Sequence, residues 1–387
     1  MQVRYIDKAL AAAEMERIGV SRAGIRIMKD KCEVLCLKVD GLTMPAANIL
    51  KQEMLAIGGD AALERDAVYG GERTTSALLM ATPRQYRRLI ERLPQQPFKL
   101  AQLAGEVAAL LDARTARPEI VLADGRVLAA DKPLLMGILN VTPDSFHDGG
   151  CYFDTEAALV QVDKLIAAGA DIIDIGGASS RPGHTPLSAE EEWLRLQPLL
   201  TQLQQQGCAV PLSVDTDQVA VARAALEHGV DIINYVGGDL NDEIFALAAA
   251  TKAPLVLMHR AGTEGEHGDI CAEVADYFRA AMARGVELGM DKRQFILDPG
   301  PGFNKSVEEN LQLMQNLSSF AAFGLPLLSA FSHKRFISAI SGGDTAAGNA
   351  AAAVWSLMQG AMLLRVHDVA ELRPVVDAAW AIKGESR

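Results

Sequence analysis

Eight times from residue 134 onward, a short, nearly unbroken apolar run recurs, with a polar loop and an amphipathic helical stretch between runs. The runs are LLMGILNV (134–141), DIIDIGG (171–177), PLSVDT (211–216), DIINYVGG (231–238), PLVLMHR (254–260), QFILDPG (294–300), PLLSAF (326–331) and MLLRVHD (362–368). Strands that are apolar on both faces belong in a parallel sheet covered by helices. Residues 156–168, 189–206 and 218–228 have the helical spacing such a cover needs. Eight βα units in about 250 residues is the arithmetic of a TIM barrel. An open doubly wound sheet is the competing architecture, but no Gly-rich dinucleotide loop follows the first strand. The expected fold class is α/β: a (β/α)8 TIM barrel over 117–387, with a small N-terminal α/β domain over 1–116.

The N-terminal stretch is less regular. IRIM (25–28) and VLCLKV (34–39) read as strands, 46–57 as a helix and SALLMAT (76–82) as a strand. TPRQYRRLIERL (82–93) follows, with Thr82 as an N-cap and Pro83 at the first helical position. Residues 98–111 read as a further helix, and RTARPEI (114–120) as the linker. EIVLADGRVLAAD (119–131) reads as a hairpin around a two-residue Asp124-Gly125 turn. The N-terminal domain is expected to be a structural or dimer-supporting appendage, or else to serve substrate delivery or regulation.

Composition excludes several classes. With 49% hydrophobic and 22% charged residues the chain is globular rather than disordered. A net charge of -12 argues against extended nucleic-acid binding, though not against a local basic pocket for a small anion. Cys32, Cys36, Cys151, Cys208 and Cys271 are scattered, without the paired clusters of a zinc site, and read as reduced thiols of a cytosolic protein. MQVRYIDKAL holds no signal-peptide core, and the greasiest stretch, 350–364, is too short to span a bilayer. A cytoplasmic protein with no nucleic-acid or membrane partner is expected.

The polar residues are informative by position. The runs end at or contain Asn140; Gly176-Gly177, leading into Ser179, Ser180 and Arg181; Asp215; Asn234; His259 and Arg260; Asp298; Ser332, His333 and Lys334; and Arg365, His367 and Asp368. In a TIM barrel the C-terminal strand ends form one rim, where active sites sit. Asp215, Asn234 and Asp298 supply acceptors and an amide for a flat nitrogen heterocycle, whose buried edge must be paired. Lys334 suits a ring carbonyl or ring nitrogen of the same molecule. Asn140, Arg181, Arg365 and His367 suit a phosphate or pyrophosphate, with Asn140 a candidate ligand for a Mg²⁺ bridging that anion. For 365–368 an ion pair closing the eighth strand is the alternative. The Gly-, Pro- and Ser-rich loops 142–150 and 178–183 read as mobile lids.

MGILNVTPDSFHDGG, DIIDIGGASSRPG, SVDT, IIN, DPGPGFNK, SHK and RVHD stand here in the order seen in dihydropteroate synthases, and from about residue 120 to the C-terminus the chain resembles that family. The resemblance implies a transferase of folate synthesis, a sulfonamide target. It condenses 6-hydroxymethyl-7,8-dihydropterin pyrophosphate with 4-aminobenzoate to give 7,8-dihydropteroate and pyrophosphate. It implies that the pterin is held by Asp215, Asn234, Asp298 and Lys334, with Met258, Gly302 and Phe303 among the substrate-binding residues. Pyrophosphate and Mg²⁺ fall to Asn140, Arg365 and His367, helped by Arg181. Phe146 and Asp148 of the first lid and Ser180, Arg181 and Pro182 of the second close over the site and form the aminobenzoate pocket. Asp148 or Asp298 is implied to stabilise positive charge on the pterin, and the family is commonly homodimeric.

The chain departs from the usual pattern at several points. Ala178 and Ser180 stand where glutamate and threonine are usual, and His333 and Arg335 where arginine and serine are usual. Tyr235 follows Asn234 in place of aspartate, and Asn304 precedes Lys305 where glycine is common. These changes cluster on the aminobenzoate side. Two further readings share the barrel: a methyltransferase moving a methyl group from methyltetrahydrofolate to a corrinoid, and a non-catalytic pterin binder. Arg181, Arg365 and His367 argue against the first, and retention of Asn140, Lys334 and Arg365 against the second.

Overall fold

The computed structural model describes residues 1–69, 73–129, 131–141, 155–177, 187–262, 265 and 267–384. The chain divides into two compact units, Met1–Thr115 and Ala116–Arg387.

The first unit holds a three-stranded antiparallel sheet, β1 (Leu35–Thr43), β2 (Asp60–Leu63) and β3 (Thr74–Ala81), in the order β1-β3-β2. Alternate residues of β3, Ala77, Leu79 and Ala81, are buried. They share a core with Leu50 and Met54 of helix Met44–Ala56, Tyr86 and Leu89 of helix Pro83–Arg92, and Leu103 and Val107 of helix Leu100–Ala113. Thr82 caps its helix as expected, in a capping box with Gln85. IRIM is not a strand. Residues Arg22–Met28 form a helix, started by the Ser21 hydroxyl accepting the Gly24 N–H. Four residues fit both periodicities, and the cap decides.

In the second unit a hairpin, β4 (Glu119–Val121) and β5 (Val127–Ala129), precedes the barrel. Its turn is longer than the two residues expected. Leu122 N–H donates to the Arg126 carbonyl and Gly125 N–H to that of Leu122. Gly125 takes φ +88°, so the loop is three residues long with glycine in the left-handed position.

The barrel strands are β6 (Leu134–Asn140), β7 (Ile172–Gly176), β8 (Leu212–Thr216), β9 (Ile232–Tyr235), β10 (Leu255–Met258), β11 (Phe295–Asp298), β12 (Leu328–Ser329) and β13 (Leu363–Val366). All eight fall within the runs read from the sequence, and their ladders are parallel, in the order β11-β10-β9-β8-β7-β6-β13-β12. A parallel bridge between Leu297 and Leu327, with the Leu297 N–H on the Pro326 carbonyl, joins the last two edges.

Two apolar clusters hold this unit. Outward strand residues such as Ile173, Ile175, Val214, Ile233, Leu255, Leu257 and Phe295 pack with the helices. Inward residues Leu134, Met136, Ile172, Ile232, Val256, Ile296, Leu328 and Leu363 fill the lower barrel, with Ile120 and Leu122 of the hairpin region against them. Each such side chain contributes about 1.5–3 kcal/mol on burial. Carboxylates pin the strand starts: Asp171 accepts the Leu135 N–H (2.9 Å) and the Lys132 ammonium (2.7 Å), and Asp231 accepts the Leu212 N–H (2.9 Å).

Candidate active site

Above the apolar floor the inward positions turn polar. Alternation along each strand places Asp174 two residues beyond Ile172, Asn234 beyond Ile232, Asp298 beyond Ile296 and Arg365 beyond Leu363. Asp215 is the penultimate residue of β8 and Asn140 and Met258 the last residues of β6 and β10.

Four of these groups form one network. Arg365 donates from Nε to Asp174 Oδ2 (2.6 Å) and from Nη2 to Asp215 Oδ2, while Asn234 Nδ2 donates to the same Asp174 oxygen (3.0 Å). The bonds of Arg365 occupy Nε and Nη2; among the described residues Nη1 carries none. Arg365 is thus tied to two carboxylates across the barrel, not to Asp368. Asp174 is wholly buried, and Asn234 and Asp215 nearly so. Burial would lower the Arg365 guanidinium, but Asp215 and Asp174 outweigh it and hold the group charged. Burial raises the Asp215 carboxyl, against the pull of Arg365. Asp174 was not singled out from the sequence, because it lies mid-run rather than at a strand end. Its signal was a carboxylate inside the apolar run DIIDIGG.

A second group gathers around the loop after β11. Asp298 Oδ1 accepts the Gly300 N–H at 2.8 Å. Gly300 has φ +63°, and any Cβ there would overlap the carbonyl oxygen of His259. At Gly302 (φ +86°) a Cβ would stand 2.6 Å from Cδ of Lys334. The two glycines of DPGPGF therefore let the loop cross beside β10 and let Lys334 lie over it. Lys334 Nζ donates to the Pro301 carbonyl and sits 4.5 Å from the centroid of the Phe303 ring. Burial pushes the Lys334 ammonium down to about 7, against the pull of Asp298. The Asp298 carboxyl is raised by its own burial, against Lys334.

Lys305, another residue without an assigned role, fixes this loop. Its buried ammonium donates to the carbonyls of Gly300 (2.8 Å), His259 (3.1 Å) and Phe303 (3.2 Å). Asn310 braces the same loop, donating to the Lys305 and Ser306 carbonyls and accepting the Gly302 N–H. Asn304, left-handed at φ +50°, donates to the Ala261 and Gly262 carbonyls at 3.0 and 3.1 Å.

At the ends of β12 and β13, Ser332 Oγ bonds His367 Nδ1 (3.1 Å) and accepts the His367 N–H (3.2 Å). Asn140 is half-buried at the same mouth. Phe146, Asp148, Ser180, Arg181 and Pro182 lie outside the described residues.

The arrangement is a polar ceiling of three carboxylates, an amide, a guanidinium and an ammonium at the C-terminal ends of the barrel strands. It defines a (β/α)8 barrel protein with a polar cluster at the C-terminal ends of its strands. A match to the family described as pterin binding enzyme spans residues 136–367. A dihydropteroate synthase of Streptococcus pyogenes is 40% identical over 258 residues, covering 65% of this chain and 96% of that protein. The crystallised dihydropteroate synthase of Xanthomonas albilineans with 4-aminobenzoic acid is 39% identical, with a TM-score of 0.65, covering 69% of this chain and 98% of that one. The chain belongs to the pterin-binding enzymes and, among them, to the dihydropteroate synthase family. It also aligns over 88% of its length with a probable bifunctional folylpolyglutamate synthase/dihydropteroate synthase of Haloferax volcanii (36% identity over 359 residues), but spans only 42% of that relative. Among the described residues no helix is long and apolar enough to cross a membrane.

Proposed function

We propose that this chain is a dihydropteroate synthase, joining 6-hydroxymethyl-7,8-dihydropterin pyrophosphate to 4-aminobenzoate with release of pyrophosphate. The observation that carries this reading is the set of buried Asp174, Asp215, Asn234 and Asp298 with the half-buried Lys334 and Arg365, above an apolar barrel floor, in a member of this family. Asp215, Asn234 and Asp298 pair the N–H edge of the pterin, and Lys334 donates to its ring carbonyl or a ring nitrogen. Met258, Gly302 and Phe303 line the same pocket. Asp174 acts through Arg365 and Asn234, orienting both. Arg365 clamps the carboxylates and turns Nη1 toward the leaving group, beside His367.

The C–O bond to pyrophosphate breaks, negative charge gathers on the departing oxygen, and Arg365 and His367 stabilise it. Positive charge spreads over the pterin, where the Asp298 carboxylate faces it. The arylamine nitrogen forms the new C–N bond and gives up its proton to solvent. An arylamine is neutral near pH 7 and nucleophilic enough to need no strong base. Arg181 and the lid residues Phe146, Asp148, Ser180 and Pro182 are assigned to the anion and the aminobenzoate on the family resemblance.

A Mg²⁺ serving the leaving pyrophosphate would need only one or two protein oxygens to hold it. The single amide oxygen of Asn140 fits that role, and no group of three or more His, Cys, Asp or Glu among the described residues offers a fuller cage. When bound, the ion supplies charge neutralisation on the leaving group. A cytoplasmic homodimer acting on small molecules completes the reading.

The test is pyrophosphate release by purified protein with the dihydropterin pyrophosphate and Mg²⁺, with and without 4-aminobenzoate. Release that depends on 4-aminobenzoate, with dihydropteroate formed, is expected. Saturable pterin binding without release overturns the synthase reading.

A further inference from the structure

Two neighbouring connections on the rim are bound to each other by contacts that the chemistry above does not use. One leaves β10 after Met258 and runs to the helix Ile270–Glu287. The other leaves β11 after Asp298 and carries Gly302 and Phe303. Asn304 joins them. Its side-chain amide donates twice, to the Ala261 carbonyl at 3.0 Å and to the Gly262 carbonyl at 3.1 Å. The amide oxygen could serve neither carbonyl, so the partners fix which way the amide points. Further in, the Lys305 ammonium donates to the His259 carbonyl, and Glu309 Oε2 accepts the Gly265 N–H (3.3 Å). At its far end the first connection is held to its own helix, where His267 Nδ1 bonds Glu273 Oε2 at 2.7 Å.

Asn304 is left-handed at φ +50°. Asparagine tolerates that backbone better than most residues with a side chain. A purely conformational role would need no donor, however, and glycine would fill it as well or better. Two bonds to the backbone of a different connection are more than such a role requires.

We propose that Asn304 is a positioning residue for the pterin pocket, tying the connection that follows Met258 to the loop that carries Phe303. The proposal rests on the assignment of Met258 and Phe303 to that pocket. Phe303 adjoins Asn304 in the chain, and its ring centroid lies 4.5 Å from Lys334 Nζ. With the clasp closed, Met258 and Phe303 keep one separation and the ring stays under the lysine. With it open, the bonds of Lys305 and Asn310 still hold the base of the loop, so the fold survives. The outer part, where Phe303 stands, is then free to shift, and binding must order it. Glycine is the residue that the family resemblance leads one to expect here, so the clasp tunes affinity rather than creating the pocket.

The experiment compares the unchanged protein with N304G and N304D. Asn304 is exposed, and glycine and aspartate both accept its backbone, so both variants should fold, as thermal melting will check. N304G removes the two bonds at no conformational cost. N304D keeps the shape but turns an acceptor toward two carbonyls. Calorimetric titration with the dihydropterin pyrophosphate reads affinity apart from the fraction of active protein. N304G should bind roughly threefold to tenfold more weakly, the span of one net hydrogen bond, and N304D at least as weakly. The KM for 4-aminobenzoate should not change, because the clasp lies behind the pterin. Equal affinity in all three proteins, or a loss in N304G alone, overturns the proposal and leaves the synthase reading standing. So does a loss shared equally between pterin affinity and the KM for 4-aminobenzoate. No binding of the dihydropterin pyrophosphate by the unchanged protein overturns the pterin pocket and the proposal with it.

Discussion

Ile172 and Asp174 on β7, Ile232 and Asn234 on β9, Ile296 and Asp298 on β11, and Leu363 and Arg365 on β13 are pairs of inward residues, one step apart on the same strands. That step is about 6.6 Å. Below it the barrel is a dry packing of aliphatic side chains, closed by Ile120 and Leu122. Above it the same strands present carboxylates, an amide and a guanidinium, satisfied by one another at Asp174, Asp215, Asn234 and Arg365 and by the Gly300 N–H at Asp298. The floor gains free energy on burial. The ceiling costs it, because ionised groups leave water and recover the loss only through their partners. The fold therefore tolerates its binding site rather than depending on it. Change in the floor is felt as stability, and change in the ceiling as function.

The largest departure from that rule is expected at Arg365. Arg365→Ala leaves Asp174 and Asp215 without their counter-charge and should lower stability at neutral pH by about 3–5 kcal/mol in denaturant titrations. The deficit should shrink as pH falls and Asp215, raised by its burial, takes up a proton. A deficit that stays constant with pH would mean that the network contributes through packing alone.

Lys334→Ala should behave as a ceiling residue proper. Turnover and pterin binding should fall at least tenfold, or about 1.4 kcal/mol or more, with the fold retained. Its effect on stability has a sign fixed by linkage. The folded ammonium titrates near 7 against 10.5 for an ordinary lysine, so the unfolded chain binds more protons between these values. Stability of the unchanged protein should rise with pH across that window, and the rise should be smaller in the variant. Near-normal turnover would break the assignment of Lys334 to the pterin pocket.

A smaller effect sharpens the comparison outside the barrel interior. Glu192, 2% exposed on the helix Ala189–Gln206, is pushed up to about 7 by burial, with the Thr216 hydroxyl opposing. Its Oε1 has no partner among the described residues. The folded state holds the extra proton between 4.5 and about 7, so stability falls as pH rises through that range. Glu192→Gln should therefore melt higher than the unchanged protein at pH 8, by about 1–2 kcal/mol, and close to it at pH 5. Equal melting at both pH values would show that Glu192 stays ionised and paired.

The barrel was legible because a strand buried on both faces needs a continuous apolar run, and eight such runs stand out at any plausible register. The ceiling was legible where its residues stand near the end of a run, as with Asp215 and Asp298. Asp174 escaped because it interrupts a run, although a carboxylate between Ile173 and Ile175 has no place in a purely structural strand. Lys305 escaped because its partners are backbone carbonyls, which sequence does not display. Arg365 was read as an anion ligand from its strand end, and its two carboxylate partners lie far away in sequence. In the first unit β2 is only four residues of mixed character, and IRIM was decided by a serine cap outside the apolar run.

The most direct test sets one strand against itself. Ile296→Val and Asp298→Asn alter the two inward positions of β11, and each variant is followed by thermal melting and by calorimetric titration with the dihydropterin pyrophosphate. Ile296→Val should lose about 1 kcal/mol of stability and keep its affinity. Asp298→Asn should melt no lower than the unchanged protein and lose at least about tenfold in affinity, since a buried pterin N–H then faces an amide in place of a carboxylate. Affinity lost at Ile296 and kept at Asp298 would contradict the division of the barrel into a floor that folds and a ceiling that binds.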